Sequence, residues 1–566
     1  MRRLLPLLFF PLLLAGQDLV LHHGKIVTAD PEMTVHEAVA IQGGRIRAVG
    51  SSEALMAKAR EDGTPMLDLE GRTVLPGLSD NHVHALWAGL SEFREALPPL
   101  DSFAAVQSYI REQAKKTPKG EWIVVPRTFP TRLAEMQMPT REVLDVAPDH
   151  PVMFDASYTV VVNSKGLEIS GISKYTANPP GGEIVVGPDG EPNGILKNAA
   201  GLLKGLREEE DFTHEEKLEA LRAMLERYRA AGLTTVGDRA VNDEMIALYR
   251  ELHKQGRLPL RVVMTWRPGA AKGFGEILQD LRTHEFTNGT GDDMLKFATY
   301  KVTLDGGMTI GTAYQRHPYG EFGKQLYGMT NPDNIGMRFV GPEKLLAIYR
   351  KARDKGWQVT AHAQGGGAVD TFLDVLEELN KDRPINKERH HLMHASFQSP
   401  QAIERMARLG VGADVQLPWL YFDGPALEKV MGTEGMRYFI PLRTYIDHGI
   451  HPAGGSDHMI GFDKNRAVNP FNPFFQMWMA ITRARTHDVG PLFAAEEAVT
   501  REEALRMHTI WAAEQQFAED ERGTIEVGKL ADLVVIDRDY LTCPEEEIKD
   551  IQPVMTILGG VVAGER

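Results

Sequence analysis

The chain of 566 residues exceeds a single ordinary hydrophobic core, so one large domain with a smaller companion is expected. A formal charge of -15 sets its surface against nucleic-acid phosphates and anionic membranes, and a single cysteine, Cys543, rules out an internal disulfide. Apolar residues at 43% and charged residues at 25% are the balance of a soluble globular protein, with neither a nucleic-acid partner nor a stable membrane anchor expected.

Arg2-Arg3 precedes Leu4 to Ala15, a run of apolar and proline residues. The run suits the core of a secretory signal and falls short of the roughly 20 residues of a transmembrane helix. Ala15-Gly16 offers small residues for cleavage, so residues 1–16 are expected to direct export to the periplasm or medium; a retained leader would leave the protein cytoplasmic. Next come short strand pairs, Asp18 to Leu21 with Gly24 to Thr28, and Glu37 to Ile41 with Arg45 to Val49 around Gly43-Gly44. The last fifty or so residues repeat this character in Ala531 to Ile536, Val554 to Leu558 and Val561-Val562. Residues 17–74 and 515–566 are therefore expected to form one composite β-sandwich.

Between them strands alternate with helices, the pattern of a parallel α/β architecture. A first strand near residue 75 is followed by helical periodicity over Leu218 to Ala231, Gly232, and the strand Thr234-Thr235-Val236. Further strands read as Leu260 to Thr265, Phe297 to Leu304, Gln358 to His362, Leu392 to His394, Val411 to Gln416, and a short one ending near Asp457. Eight strands predict an α/β fold of the (β/α)8 TIM barrel type over residues 75–514, with its active site at the C-terminal strand ends. Residues from about 90 to 210 are too many for one connection and are expected to form an insertion that walls the site.

Chemistry first surfaces at His82-Val83-His84, after the buried run Val74-Leu75 and the break Pro76-Gly77. Histidines at i and i+2 of an extended segment project to one side, where a single metal ion could take both imidazoles. With nineteen histidines in the chain, such a pair by itself carries little weight. Later strands add to it. His362 and His394 end strands one βα unit apart, Asp457 ends another two units on, and Lys301 sits inside the apolar strand before Asp305.

These stretches resemble the amidohydrolase superfamily, in its YtcJ-like branch (amidohydrolase family 3). The resemblance is carried by Leu75-Pro76-Gly77-Leu78-x-Asp80-x-His82-x-His84, by Val162-Asn163-Ser164-x-Gly166-Leu167, and by Lys301 with Asp305-Gly306 and Gly311-Thr312-Ala313. It continues through His362-Ala363 with Gly366, His394-Ala395, Gln416-x-Pro418, Gly455-Ser456-Asp457 and Gly528-Lys529-Leu530-Ala531-Asp532-Leu533-Val534. It implies that His82, His84 and Asp457 hold one divalent ion, zinc foremost, and that His362 and His394 hold a second. Lys301, carboxylated to a carbamate, would bridge the two, since a protonated ammonium cannot ligate a cation. Asp457 would take the proton of the attacking water and pass it to the departing amine.

The activity so implied is hydrolysis of an amide-like C–N bond in a small-molecule substrate, of the amidohydrolase, deacylase or deformylase type. Deamination, ester or carbamate hydrolysis, and a non-catalytic scaffold are the alternatives. Lys301 paired with Asp305, and Asp457 as a helix N-cap, are the corresponding non-catalytic roles. Tyr158 stands where many relatives have a histidine, five residues before Asn163 of Val162-Asn163-Ser164. Tyr158, Trp419 and His458 are the candidate substrate contacts. His390 and His391 are expected at the surface or behind the ligands, and His451 in a structural position.

Overall fold

Eight parallel strands follow one another around a single sheet in the computed structural model, which describes residues 18–206, 212–269, 272–486 and 494–563. They are β1 (Leu78–Val83), β2 (Leu233–Val241), β3 (Arg261–Trp266), β4 (Leu295–Thr303), β5 (Gln358–Ala363), β6 (His391–His394), β7 (Gly412–Gln416) and β8 (Pro452–Gly455). Sequence order equals spatial order, as in a (β/α)8 barrel. Beyond the end of β8, the chain meets β1 again. The Asp457 N–H donates to the His82 carbonyl at 2.7 Å, and the His84 N–H to the His458 carbonyl at 2.9 Å. Gly455 permits this closure, because a Cβ there would lie 2.6 Å from the His82 nitrogen.

The helices outside carry the apolar stripe that such crossovers need. His214–Ala230 opens on a capping box of Thr213 and Glu216 and buries Leu218, Leu221, Leu225 and Tyr228 at helical spacing. The predicted strands fall on the observed ones to within a few residues, with one exception. The run around Val74-Leu75, read as the first barrel strand, is instead a strand, Thr73–Pro76, of a different sheet. There it pairs antiparallel with Leu533–Ile536 and parallel with Lys25–Val27. The barrel begins only after Gly77, whose missing side chain lets the chain pass between the two units; a Cβ would sit 2.2 Å from the Thr234 hydroxyl.

Strands from both ends of the chain build that other unit. A six-stranded sheet joins Lys25–Val27, Val35–His36 and Thr73–Pro76 to Leu533–Ile536, Pro553–Leu558 and Val561–Ala563. A four-stranded sheet of Leu19–His22, Ala38–Gln42, Arg45–Gly50 and Met66–Asp68 faces it across a core that includes Leu21, Ile26, Ile41, Val74, Leu533 and Ile557.

Between β1 and β2 the chain makes the helix Phe103–Lys116 and a separate five-stranded sheet running from Ile123–Val125 to Pro192–Lys197. Loops of this insertion bring Arg127, Phe129, Ser157 and Tyr158 to the cavity at the barrel mouth. Among the described residues no helix is long and apolar enough to cross a membrane. The expected leader at 1–16 lies outside the described residues.

Candidate metal centre

The C-terminal ends of β1 and β8 bring three groups to one point. One ligand atom each of His82, His84 and Asp457 lie within 4.8 Å of one another, all three side chains buried. The Asp457 Oδ1 is 3.1 Å from His84 Nε2 and 3.5 Å from His82 Nε2. His82 Nε2 and Asp457 Oδ1 are both buried without a hydrogen-bond partner. Buried polar atoms left without a partner are costly, and a cation held between this imidazole nitrogen and this carboxylate oxygen would satisfy both. The donor set of imidazole nitrogen and carboxylate oxygen fits a divalent metal ion.

His362 and His394, at the ends of β5 and β6, complete the floor of the cavity, with ring centroids 4.5 Å apart; the His394 ring lies 5.0 Å from that of His82. Burial holds the His82 imidazole well below its ordinary pKa and takes His362 and His394 down to about 3. All three are therefore neutral at pH 7 and have lone pairs to offer. Burial alone would raise the Asp457 carboxyl, but the surrounding His82, His84 and His394 imidazoles overcome this and hold it below the usual carboxylate range. Two of these residues sit in the left-handed region, His394 at φ 70° and Asp457 at φ 58°. Such a conformation costs about 1–3 kcal/mol at a residue other than glycine, and here it aims the ligand atom.

A second layer fixes the rings. Asp305, two residues beyond the end of β4, accepts from His362 Nδ1 at 3.0 Å and from the backbone N–H groups of Gln364, Gly365 and Tyr314. Gln416 accepts from His394 Nδ1 at 2.8 Å through its Oε1 and donates to Asp414 at 2.7 Å. Both rings thereby keep Nε2 free for a ligand. Asp414 Oδ2 lies 3.6 Å from His82 Nδ1 and 3.3 Å from the buried Arg239 guanidinium, which also donates to the Asn81 carbonyl.

Lys301 projects from β4 into the same cavity, only 4% exposed. Among the described residues no carboxylate pairs with its amine; Asp305, the partner weighed from sequence, is committed to His362 and the backbone amides. Burial first, and then the Arg267 guanidinium, depress the Lys301 amine to about 7. A neutral amine is the form that reacts with carbon dioxide.

The remaining wall sorts the other candidates. The Trp419 indole N–H donates to Asp457 Oδ2 at 3.2 Å, so this ring both lines the cavity and touches the acid. Tyr158 lines the cavity with its ring 5.9 Å from that of His362. His458 turns away from the cavity: its Nε2–H donates to the Gly461 carbonyl and its Nδ1 accepts from the Tyr228 hydroxyl, both at 2.8 Å. No capacity is left there for substrate. Asp457 caps no helix, as the next one is Pro473–Thr482 with Asn472 as its cap. His390 and His391 are both fully buried rather than at the surface. His451 is exposed, bonded to Glu514 and stacked on Trp511.

Asp305 was weighed from sequence only as a partner for Lys301, Gln416 lay within a motif without an assigned role, and Asp414 and Arg267 were not singled out. Asp414 shares a face of β7 with Gln416 by two-residue spacing, which is the one clue the sequence offers.

The amidohydrolase family model matches residues 66–563. The chain is 30% identical over 560 residues to an N-substituted formamide deformylase of Arthrobacter pascens, covering 97% of this chain and 99% of that protein. It is 27% identical over 557 residues to YtcJ of Bacillus subtilis, covering 96% and 99%. Among solved structures, an uncharacterized metal-dependent hydrolase from Pyrococcus horikoshii superposes with a TM-score of 0.70 at 22% identity, covering 94% of this chain and 99% of that one.

Proposed function

The chain belongs to the amidohydrolase family, and from that membership we propose a metal-dependent hydrolase in which water cleaves an amide-like C–N bond, a formamide or related N-acyl compound being the substrate type that the deformylase relative supports. The observation that carries this reading is the unpartnered pair His82 Nε2 and Asp457 Oδ1, buried side by side at the mouth of the barrel. His82, His84 and Asp457 would hold one divalent ion; His362 and His394 would hold a second, with Lys301 as a carbamate between the two. Imidazole and carboxylate donors in this number suit zinc. Such an ion supplies acidified water at neutral pH and polarises a substrate carbonyl.

The protein's own groups do the rest. Asp457, kept ionised, accepts the proton of the attacking water and returns it to the leaving nitrogen, which cannot depart as an anion. The Trp419 N–H fixes the Asp457 carboxylate so that Oδ1 faces the histidines while Oδ2 is held by the indole. Phe129, Trp87 and Trp419 give the cavity apolar walls that exclude bulk water from the reacting atoms.

The test is metal analysis together with hydrolysis of N-substituted formamides and N-acyl amines by the metal-reconstituted protein. Wild type should bind at least one divalent ion and turn over a member of the series. Asp457→Asn should lower turnover about a thousandfold while metal content is largely retained. Undiminished activity in that variant would remove Asp457 from the chemistry.

A further inference from the structure

Three cationic side chains line the cavity of about 260 Å³ above the histidines: Arg127, Arg267 and Lys301. Two of them are accounted for. Arg127 places Nε and Nη2 each 3.2 Å from Asp155 Oδ2, and the Ser157 N–H takes the other carboxylate oxygen at 2.6 Å. Lys301 has the candidate role at the metal centre. Arg267 has no such partner. It is half-buried, its one side-chain hydrogen bond is a long 3.5 Å contact to the Thr303 hydroxyl, and no carboxylate lies within ion-pair distance among the described residues.

Its position is well fixed. The Arg267 N–H donates to the Val241 carbonyl at 3.0 Å, and the ladder that pairs Trp266 with Tyr300 sets Arg267 beside Lys301. A guanidinium stays charged at any relevant pH, so a half-buried one without a counter-ion bears a desolvation cost that an incoming anion would relieve. Its planar fork of N–H donors matches a carboxylate in two-point geometry. Four aromatic rings (Trp87, Phe129, Tyr158 and Trp419) line the wall beside neutral polar groups such as Thr309 and Gln364, and the one carboxylate there, Asp457, is engaged by Trp419 and the histidines, so a wholly neutral substrate would bring the guanidinium no counter-ion. With the chain at -15 overall, this cation is no part of a general basic surface.

We propose that Arg267 is a specificity-determining residue: it seats a carboxylate of the substrate, so the preferred substrates are N-acyl compounds bearing that anion close to the scissile C–N bond. The proposal rests on the hydrolase reading above. It deepens that reading by naming the group that must sit opposite the reacting carbonyl.

The test uses matched pairs, an N-formyl or N-acetyl amino acid and its primary amide, which differ only in carboxylate against carboxamide. Metal-loaded wild type should favour the acid in kcat/KM by on the order of tenfold to a hundredfold, mainly through KM. Arg267→Gln should bring that ratio close to one, and Arg267→Lys should keep part of it. Equilibrium binding of the acid to metal-free protein, which does not turn it over, should weaken in Arg267→Gln by a similar factor. A wild-type ratio near one would overturn the proposal. So would equal losses on acid and amide with binding of the acid unchanged, which would place Arg267 behind Lys301 instead. If wild type hydrolyses neither member of any pair, the hydrolase reading fails, and the binding arm still decides what Arg267 does.

Discussion

Replacing Lys301 by methionine should make the metal-free protein more stable at neutral pH, and by an amount that depends on pH in a predictable direction. Lys301 is 4% exposed and lines the same cavity as the histidines and Arg267, so charging its amine inside the fold is penalised. Its pKa falls from 10.5 in the unfolded chain to about 7. At about 1.4 kcal/mol for each tenfold step in proton affinity, the buried ammonium costs on the order of 5 kcal/mol relative to the neutral amine. The sign follows from proton counting. Between pH 7 and 10.5 the unfolded chain holds a proton that the folded chain has released, so wild-type stability rises with pH across that window. From pH 6 to pH 9 this amounts to about 3 kcal/mol. Lys301→Met lacks the group and lacks the rise. The assay is urea denaturation of both proteins after chelation, in carbon-dioxide-free buffer, at several pH values. The variant's advantage should be largest at pH 6 and shrink by about 3 kcal/mol at pH 9. Parallel stability curves for the two proteins would refute the buried neutral lysine, and with it the amine's readiness to form a carbamate.

Two further outcomes follow from the second layer. Asp305→Ala and Gln416→Ala should each lower divalent-metal affinity about 10- to 100-fold in chelator competition, since His362 and His394 lose the acceptor that fixes their tautomer. Unchanged affinity would mean that packing alone orients these rings. Trp419→Phe removes the N–H bound to Asp457 while keeping an aromatic wall, and kcat should fall about tenfold. Losing a donor to the carboxylate raises its pKa, so the acidic limb of the pH–rate profile should move to higher pH; an unmoved limb would detach Trp419 from the acid.

The barrel was legible because its strands are short apolar runs, each preceded by a helix with its own stripe, and because the polar residues at their ends are chemically unusual. The Val74-Leu75 run was misplaced for a physical reason. Strands of a barrel and of a sandwich core are both buried on both faces, as every residue of Thr73–Pro76 is. Which sheet they join is decided by pairing with Leu533–Ile536, more than four hundred residues away, and no local signal reports it. The same limit hid Asp414 and Arg267. Each is an ordinary residue by type, and only the lateral register of neighbouring strands sets them against His82 and Lys301. At His394 the left-handed φ of 70° ends the alternation of the strand, so counting along it could not say which way the ring points.

A division of labour within the cavity explains why candidate metal ligands stand out in the sequence while a substrate does not. His82, His84, Lys301, His362, His394 and Asp457 all lie at or near the C-terminal ends of barrel strands, where one-unit spacing constrains which residue types recur together. Arg127, Phe129, Ser157 and Tyr158 come from the insertion, whose own sheet has no register relation to the barrel. Their approach to the metal centre is fixed by tertiary packing, and the insertion can vary without disturbing a single ligand. Arg267 lies at the join, on a barrel strand end but facing the insertion wall. A substrate therefore meets a floor set by the barrel and a wall set by the insertion, and changes in specificity should map to the wall and to Arg267 while losses of turnover map to the floor.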